Sequence, residues 1–471
     1  MKSRILPLLT LLGAMLLTAC GGDNGAPAAT ATTAPTAAPT SAAPGVPAAA
    51  TDTPAPPTLA PTTAPTEAPP PTVAETPTAP QAEATASLEA PAAAGGEEPA
   101  LTLQPVPVET NATTGTGTFA TARQLNLPPG FHVRVYATGL SQVRWLGLSP
   151  DGVVYATLLS GRVVTLPDAD KNGVADSVKT FADNLPGVHG IAFKDNAVYV
   201  ATESQIVRLE DTNQDGVADK RDILADDLPS GGGHSTRTLA FGPDGKLYVS
   251  AGSSCNVCVE KDPKRAAISR YSADGKFEQV YASGLRNAVG IVFHPVTGDL
   301  WATNNGRDNL GDNIPPETIY NIKEGTNYGW PYCYGARIPD KTQDPPAGFC
   351  EKTGVPAVEM QAHSAPLGLA FYTGKQFPPG YQGDLFVAFH GSWNRSEPTG
   401  YKVVRVRFKE NQPDTAAGDL LVEDFATGWH SGGDVWGRPV DPMVAPDGSL
   451  LLTDDRSGTV YDIYYQAAAG S

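Results

Sequence analysis

Six polar side chains stand at comparable places in the sequence, each shortly before an apolar run. They are His189, His234, Arg286, Asn287, His363 and Arg438. A guanidinium binds a carboxylate through paired N–H donors, and a neutral imidazole can accept a proton near neutral pH. In an acidic chain this set indicates a site for an anionic ligand with a base beside it. Taken singly, each residue would also suit a polar strand end bonded to a neighbouring loop.

His234 lies in the segment GGGHSTRTLAFGPDGKLYVS, directly after three glycines. Glycine leaves the backbone uncovered, so a flat ligand could approach it closely. A catalytic base must also lie within hydrogen-bond reach of the proton that it removes. The segment therefore predicts a base held beside a planar ligand.

The elements that position these residues are visible as a repeated phrase: a short apolar strand, a tight turn such as Pro-Asp-Gly, and a second strand. The phrase recurs at residues 146–156, 191–201, 239–249, 291–302, 369–374 and 443–452. Its starts lie 45, 48, 52, 78 and 74 residues apart. A repeat of this length built only from strands and turns is typical of a propeller blade. The sequence predicts an all-β fold, a six-bladed β-propeller.

Equivalent positions of the blades face one axis, so the six polar residues are expected to converge there. Two blades are longer than the others, with inserts near residues 304–365 and 373–400. Extra residues on one rim favour a pocket at that end of the axis.

Three segments in this order carry a family resemblance: HSTRTLAFGPDG from His234, GLRN ending at Asn287, and GTNYGWP ending at Pro331. They resemble the soluble pyrroloquinoline quinone-dependent sugar dehydrogenases, in the glucose/sorbosone branch that includes aldose sugar dehydrogenase-like proteins. The resemblance spans roughly residues 127 to 465.

The resemblance implies quinone-dependent oxidation of an aldose or related sugar aldehyde, with His234 as the general base. The quinone carries three carboxylates, which suit Arg286 and Arg438 as donors and Asn287 as a neutral partner. His189 belongs to the same converging set and is predicted to contact the cofactor.

The resemblance also implies a Ca²⁺ ion that polarises the quinone. Backbone oxygens of the loop containing Gly306 and Arg307 would hold it, and Asp308 and Asp312 could add carboxylates or orient waters. The same stretch would also suit a plain polar, turn-rich loop.

Two departures from the family pattern bear on the substrate and on cofactor affinity. Glucose-oxidising members have an acid just before the base, where this chain has Gly233. They also present a lysine from the fifth blade, where this chain has HGSWNR ending at Arg395. Arg395 is the predicted substitute, and Lys402 is a weaker candidate.

Two acidic loops form a separate candidate metal site. They supply oxygens at positions 1, 3, 5 and 9 and glycine at position 6, like the front of a calcium loop without its glutamate at position 12. Their residues are Asp168, Asp170, Asn172 and Asp176 in one loop, and Asp211, Asn213, Asp215 and Asp219 in the other. Each loop either binds structural Ca²⁺ or is an acidic turn.

The N-terminal region indicates export. Lys2 and Arg4 precede an apolar run that ends in Leu-Thr-Ala-Cys20, a pattern that resembles a lipoprotein signal with Cys20 as the lipidated residue. A plain secretory signal is the alternative. The expected location is outside the cytoplasm, at the cell surface or in the periplasm, with membrane attachment through the lipid only.

Residues 21–120 are rich in Ala, Pro and Thr and contain nine acidic and no basic residues, so they predict a disordered tether. The predicted domains are therefore a signal peptide (1–20), the tether (21–120) and the propeller (121–471). Much of the net charge of −17 belongs to the tether. A mildly acidic body argues against nucleic acid as a partner.

The body contains four cysteines, Cys255, Cys258, Cys333 and Cys350. An even number in an exported protein predicts two disulfides, Cys255–Cys258 and Cys333–Cys350. The first pair could instead be redox-active, although no helical pattern follows it.

Two other functions are compatible with a propeller. One is a non-catalytic propeller that holds a glycan or a protein. The other is a calcium-dependent lactonase, which would need acidic and amide ligands around an axial metal. The leading hypothesis remains a quinone- and calcium-dependent sugar dehydrogenase that passes electrons to an external acceptor.

Overall fold

The computed structural model describes residues 100–467 of the 471-residue chain. The strands, in chain order, are β1 (Gln104–Glu109), β2 (Gln124–Leu127), β3 (Phe131–Ala137), β4 (Val143–Leu148), β5 (Val154–Leu158), β6 (Arg162–Leu166), β7 (Lys179–Ala182), β8 (Gly190–Lys194), β9 (Ala197–Ala201), β10 (Ile206–Glu210), β11 (Lys220–Ala225), β12 (Arg237–Phe241), β13 (Leu247–Ala251), β14 (Ala267–Tyr271), β15 (Phe277–Ser283), β16 (Ile291–Phe293), β17 (Leu300–Asn304), β18 (Glu317–Ile322), β19 (Cys333–Tyr334), β20 (Ile338–Pro339), β21 (Val358–Met360), β22 (Pro366–Phe371), β23 (Leu385–Phe389), β24 (Lys402–Val406), β25 (Phe408–Lys409), β26 (Gln412–Pro413), β27 (Val422–Ala426), β28 (His430–Ser431), β29 (Asp434–Val435), β30 (Pro439–Val444), β31 (Leu450–Asp454) and β32 (Thr459–Tyr465). Four short 3-10 helices lie at Gly117–Phe119, Cys350–Lys352, Pro379–Tyr381 and Thr415–Leu420.

These strands form the predicted six-bladed β-propeller. Blades 1 to 3 are β4–β7, β8–β11 and β12–β15. Blade 4 is β16, β17, β18 and β21, and blade 5 is β22, β23, β24 and β27. Blade 6 takes β30, β31 and β32 from the end of the chain and β3 from its beginning. The innermost strands β4, β8, β12, β16, β22 and β30 each contact the next, and β30 contacts β4, which closes the ring.

The repeated phrase forms the first two strands of every blade except blade 5, where residues 369–374 cover only the end of the innermost strand. In blade 3, Leu239 pairs with Val249 and Phe241 with Leu247, and the turn between them uses Gly245 at a φ of 73°. Only glycine adopts that backbone region without strain.

An aromatic pair recurs between consecutive blades. A Tyr or Trp from the second strand of one blade packs edge-on against a Phe from the innermost strand of the next. The pairs are Tyr155–Phe193, Tyr199–Phe241, Tyr248–Phe293 and Trp301–Phe371, with ring centroids 4.9 to 6.1 Å apart. Because both rings belong to the repeated phrase, the sequence repeat also determines how blades pack.

The propeller begins earlier than the predicted boundary at residue 121. Strand β1 pairs with β2 and β3, and Val106 and Val108 are buried. Phe119 is also buried, with its ring edge-on to Trp436 and Tyr461. These side chains are buried although the composition around them is that of a low-complexity segment. Residues 104–119 are therefore part of the body, and the predicted tether was too long. The predicted signal, Cys20 and the rest of the tether lie outside the described residues.

Both predicted disulfides are present, Cys255–Cys258 in blade 3 and Cys333–Cys350 in the long insert of blade 4. Within residues 100–467, no helix is both long and apolar enough to cross a membrane.

Candidate active site

The predicted site residues lie at one end of the propeller. In a four-stranded antiparallel blade, the connections between the second and third strands and those between blades share one end. His234, Arg286, His363 and Arg438 all precede innermost strands, so they lie at this end. The loops at residues 252–266, 305–316 and 390–401 join them there.

The ring of His234 is held in one tautomer. Its Nδ1 lies 2.8 Å from the carbonyl oxygen of Ser253 and 3.1 Å from the Ser253 hydroxyl. That hydroxyl donates its own hydrogen to the carbonyl oxygen of Cys255 at 2.6 Å. Both partners of Nδ1 can therefore only accept, so the hydrogen resides on Nδ1 and Nε2 keeps its lone pair.

The surroundings of His234 keep its ring neutral. Burial, the nearby Arg286 guanidinium and two further arginines lower its pKa to about 4. Those two, Arg237 and Arg265, donate to the His234 carbonyl oxygen at 3.0 and 3.2 Å and so fix the backbone. A neutral ring with a free Nε2 is a proton acceptor at any pH above that pKa.

The glycines before His234 have a different role from the one predicted. Gly232 has a φ of 90°, and a Cβ there would lie 2.7 Å from the backbone of Ser254. The Gly233 N–H donates to the Ser254 carbonyl at 2.7 Å. The bare backbone therefore packs against the loop that holds the His234 ring.

Arg286 is buried beside His234, and most of its donors are already used. Nε donates to the Asn256 carbonyl and Nη2 to the Asn256 amide oxygen, both at 3.0 Å. Nη2 also donates to Asp308 Oδ2 at 3.0 Å, and Nη1 makes a 3.5 Å contact with the Asn305 carbonyl. Of five N–H groups, one on Nη1 has no partner among residues 100–467. Burial lowers the pKa of Arg286, and the Asp308 carboxylate opposes that shift.

Asn287 and His234 meet over Gly252. A Cβ on Gly252 would lie 2.3 Å from Asn287 Oδ1 and 2.7 Å from His234 Cβ. The Asn287 amide nitrogen donates to Asn305 Oδ1 at 3.2 Å. The structure thus brings together three predicted residues, His234, Arg286 and Asn287.

The predicted metal loop divides into two parts. Asp308 pairs with Arg286, and its Oδ1 accepts from Asn394 at 2.7 Å. Asp312 lies apart from it, exposed and bonded to Ser396. The side chain of Arg307 pairs with buried Asp340 at 2.7 Å.

Glu317 supports this loop and was missed in the sequence. Its carboxylate accepts the Gly306 N–H at 2.7 Å and the Ala365 N–H at 3.1 Å. Burial raises its pKa to about 7, although both N–H groups and the Arg286 charge oppose that shift.

Arg438 lies in a second polar cluster, between blades 5 and 6. Nε donates to the His390 carbonyl at 3.0 Å and Nη2 to the Gly391 carbonyl at 2.9 Å, whereas Nη1 has no partner in the described part of the chain. The His390 ring contacts Asp455 Oδ1 at 2.9 Å, and Asp455 pairs with Arg144 at 2.5 Å.

The predicted lysine substitutes lie at the rim. Arg395 contacts the Ala362 carbonyl at 3.3 Å and Asn313 at 3.4 Å. Lys402 forms an ion pair with Asp424 at 2.5 Å. His363 is closer to the site, because its Nδ1 accepts from Asn394, which also donates to Asp308.

The structure does not bring His189, another predicted cofactor contact, to the surface of this site. Its side chain has no exposed surface, its ring packs 4.7 Å from that of Trp145, and Nδ1 bonds the Thr238 hydroxyl at 3.2 Å. It shares the blade position of His234, but the neighbouring innermost strands cover it completely.

The two acidic loops connect the third and fourth strands of blades 1 and 2, so they lie at the opposite end from His234. They share one hydrogen-bond pattern: Asp168 accepts the Gly173 N–H at 2.9 Å, and Asp211 accepts the Gly216 N–H at 2.8 Å. Neither loop gathers three carboxylates. Within residues 100–467, the one tight group of His, Cys, Asp or Glu ligand atoms is Cys255, Cys258 and Glu260, where the cysteines form a disulfide. Calcium binding by the loops stays a prediction.

A family model described as TrAA12-like matches residues 125–466, which is nearly the whole propeller. The chain belongs to the TrAA12-like family. The resemblance to pyrroloquinoline quinone-dependent sugar dehydrogenases read from the sequence is thereby confirmed.

Relatives of this TrAA12-like chain include an uncharacterized protein of Borreliella burgdorferi, 38% identical over 228 residues, covering 47% of this chain and 58% of the relative. A pyrroloquinoline quinone-dependent pyranose dehydrogenase of Coprinopsis cinerea is 27% identical over 405 residues, covering 72% of this chain and 54% of the relative. This chain therefore spans little more than half the length of these relatives. The holo form of the Coprinopsis cinerea pyranose dehydrogenase quinone domain has a similar fold, with a TM-score of 0.63 and 23% identity over 73% of this chain and 97% of that one.

Several residues that build this TrAA12-like site were not found in the sequence. Ser253 lies two residues before Cys255, and Asn256 lies between the two cysteines. The predicted disulfide was the sequence feature that could have pointed to both residues. Arg237 lies inside the His234 segment itself. Glu317 and Asp455 are acidic residues next to strand ends, and nothing in their local sequence distinguishes them from surface acids.

Proposed function

We propose that this protein oxidises a pyranose or other aldose sugar with pyrroloquinoline quinone as its cofactor. The observation that carries the proposal is His234, whose Nε2 has no hydrogen-bond partner among the described residues and whose ring lies beside the buried guanidinium of Arg286. Membership of the TrAA12-like family and similarity to the pyrroloquinoline quinone-dependent pyranose dehydrogenase of Coprinopsis cinerea support the same activity.

The donors left over in the site fit a polycarboxylate. Arg286 and Arg438 each retain N–H groups on Nη1 that the described residues do not use. Gly252 allows Asn287 and His234 to approach each other closely, because a Cβ there would lie 2.3 Å from Asn287 Oδ1 and 2.7 Å from His234 Cβ. Two planar guanidiniums with an amide beside one of them are suited to a multiply charged anion.

The roles of the chain's own residues follow from these contacts. Nε2 of His234 accepts the hydroxyl proton of the sugar's anomeric carbon, and Ser253 keeps the ring in the tautomer that permits this. When bound, the quinone would accept the hydride, which carries both electrons, from the same carbon. Oxygens of the loop from Gly306 to Asp308 would hold Ca²⁺ there, with Glu317 fixing the Gly306 backbone.

The location and partners belong to the proposal as well. Lipidation at Cys20 would hold the protein outside the cytoplasm, where electrons pass to an external acceptor. The sugar is the small-molecule substrate, and nucleic acid is not an expected partner.

The test uses the purified full chain with pyrroloquinoline quinone and Ca²⁺, followed by a series of sugars and an artificial dye as electron acceptor. Sugar-dependent dye reduction that a chelator abolishes supports the proposal. Quinone binding without turnover of any sugar would support a binding propeller instead. Absence of quinone binding in a calorimetric titration would overturn the proposal.

A further inference from the structure

The loop between β13 and β14 contains a small ring closed by the Cys255–Cys258 disulfide. The sequence of the ring is Cys-Asn-Val-Cys, and its residues are half-buried. The carboxylate of Glu260 anchors the loop by accepting the Ser254 N–H at 2.6 Å and its hydroxyl at 2.8 Å.

Asn256, inside this ring, contacts three segments that are distant in sequence. Its carbonyl oxygen accepts from Arg286 Nε at 3.0 Å and from Trp330 Nε1 at 3.3 Å. Its amide oxygen accepts from Arg286 Nη2 at 3.0 Å and from the Asp308 N–H at 2.8 Å. Its amide nitrogen donates to the Asp308 carbonyl at 3.2 Å. One residue thus fixes the guanidinium and the backbone of the candidate metal loop.

The same ring reaches the base. The Cys255 carbonyl accepts the hydroxyl of Ser253, and that bond obliges the Ser253 hydroxyl oxygen to accept from His234 Nδ1. The Arg286 carbonyl in turn accepts the Ser253 N–H at 2.8 Å. A displacement of the ring would therefore disturb His234, Arg286 and Asp308 together.

We propose that Asn256, held by the Cys255–Cys258 ring, is a positioning residue that sets the direction of the Arg286 guanidinium and the place of Asp308. The ring removes backbone freedom from four residues, so the carbonyl and the side chain of Asn256 present their acceptors in a fixed arrangement. Arg286 then directs its remaining Nη1 hydrogen toward the ligand and does not sample other rotamers. The role of Arg286 toward the quinone rests on the proposed function, whereas the contacts among the three residues do not.

The first experiment measures quinone affinity by calorimetric titration for four proteins: wild type, Asn256→Ala, Cys255→Ser/Cys258→Ser, and Val257→Ala as a control from the same ring. We expect Asn256→Ala to bind about tenfold more weakly, because two donors lose their acceptor. The double serine variant should bind the quinone more weakly still. Without the disulfide, the Asn256 carbonyl also loses its fixed position relative to Arg286 and Trp330. Val257→Ala, whose residue has no part in these contacts, should bind like wild type. Equal affinity in all four proteins would overturn the proposal.

A second measurement needs no cofactor. Hydrogen–deuterium exchange of the peptide covering residues 305–310 reports the Asp308 N–H, which the Asn256 amide oxygen protects. We expect faster exchange there in Asn256→Ala and in the double serine variant, and no change in Val257→Ala. If wild type bound no quinone, the proposed function would fail while this measurement would still judge the positioning role. Unchanged exchange in both variants would overturn it.

The conservative variant Asn256→Asp separates positioning from mere folding. It keeps the acceptor for Arg286 and the Asp308 N–H but loses the donor to the Asp308 carbonyl. We expect Asn256→Asp to bind the quinone with an affinity closer to that of wild type than Asn256→Ala does. The two variants should have the same melting temperature. If affinity in the three Asn256 proteins instead followed melting temperature alone, the role would be structural and the proposal wrong. Asn256→Ala retains the disulfide, so this comparison holds even where the double serine variant does not fold.

Discussion

Two polar clusters at the same end of the propeller each hold a carboxylate away from bulk water, Glu317 in one and Asp455 in the other, and they do so with different partners. The Arg286 cluster comprises Arg286, Asn256, Asp308 and Glu317, and the Arg438 cluster comprises Arg438, His390, Asp455 and Arg144. Glu317 bonds two backbone N–H groups, and burial raises its pKa to about 7. Burial would also raise the pKa of Asp455, but His390 and Arg144 outweigh it and lower the pKa to about 2. Two backbone N–H donors and the Arg286 charge therefore leave the pKa of Glu317 raised, whereas direct contacts with His390 and Arg144 lower the pKa of Asp455.

The clusters also contain two histidines with a similar pKa and different free atoms. Burial lowers the pKa of both His234 and His390 to about 4. Nε2 of His234 has no partner within residues 100–467, whereas Nε2 of His390 contacts Asp455. Only the first is available to a substrate.

The largest expected effect separates these histidines. His234→Gln should lower kcat by roughly 10² to 10⁴-fold with quinone affinity nearly unchanged, because it removes a placed base and no carboxylate contact. His390→Gln should lower the melting temperature instead. Wild-type activity should be lost as pH falls through about 4, because the base must be neutral. Steady-state kinetics and a quinone titration of both variants provide the measurement, and a His234→Gln enzyme that turns over like wild type would show that the ring is only a loop residue.

Replacing Arg286 or Arg438 by alanine should weaken quinone binding in both cases but lower the stability of the protein to different extents. Arg286→Ala leaves the half-buried Asp308 without its charged partner, so we expect a loss of about 3 kcal/mol in the free energy of unfolding. Arg438→Ala loses bonds to two carbonyl oxygens, which should cost about 1 kcal/mol. Both variants should bind the quinone more weakly. Denaturant unfolding with paired titrations tests this, and equal stability losses would remove the distinction between the clusters.

Raising the pH should destabilise the protein through Glu317. Its folded pKa of about 7 lies above its unfolded value of 4.5, so the stabilisation is complete below 4.5 and is lost as pH rises through 7. This shift corresponds to about 3 kcal/mol at pH 8. In Glu317→Gln this loss of stability with rising pH should be absent, because glutamine does not titrate. Glutamine has one carbonyl oxygen, so one of the two backbone N–H groups would lose its acceptor. Melting temperatures of both proteins between pH 5 and 8 give the comparison, and parallel curves would contradict it.

Lowering the pH should act through Asp455 with the opposite sign. Its folded pKa of about 2 lies below the unfolded value of 3.8, so its contribution is present above about 4 and is lost as pH falls through 2. The shift corresponds to about 2 kcal/mol. Asp455→Asn should remove this acid-dependent part and be less stable than wild type at neutral pH. Urea unfolding of both proteins at pH 3 and pH 6 measures it, and an equal loss of stability between the two pH values in wild type and Asp455→Asn would contradict the prediction.

The repeated phrase made the fold predictable because the same residues form the strands, the turn and the contact between blades. Tyr248 and Phe293, for example, both belong to phrases, so their packing follows from the repeat. The start of the body was not predictable in this way. Phe119 follows a low-complexity segment, and only its contacts with Trp436 and Tyr461 show that it belongs to the core.

The site was predictable where a residue acts from a blade position and unpredictable where it acts through a loop. His234, Arg286 and Asn287 are adjacent because their blades are consecutive. His189 has an equivalent position but lies under its neighbours, and strand periodicity carries no information about that depth. The roles of Asn256 and Glu317 depend on which loops lie against each other in the folded protein. No local sequence pattern therefore identifies these two residues.

The closure of blade 6 has a consequence for biosynthesis. Among the described strands, β3 has its antiparallel partner in β32, the last of them, with Phe131 opposite Tyr465. Until residues 459–465 have been synthesised, β3 has an unpaired edge, and such edges invite association with other chains. Once the ring is closed, the first and last propeller strands are neighbours, so a short linker between them should allow a circular permutant to be opened between any two blades.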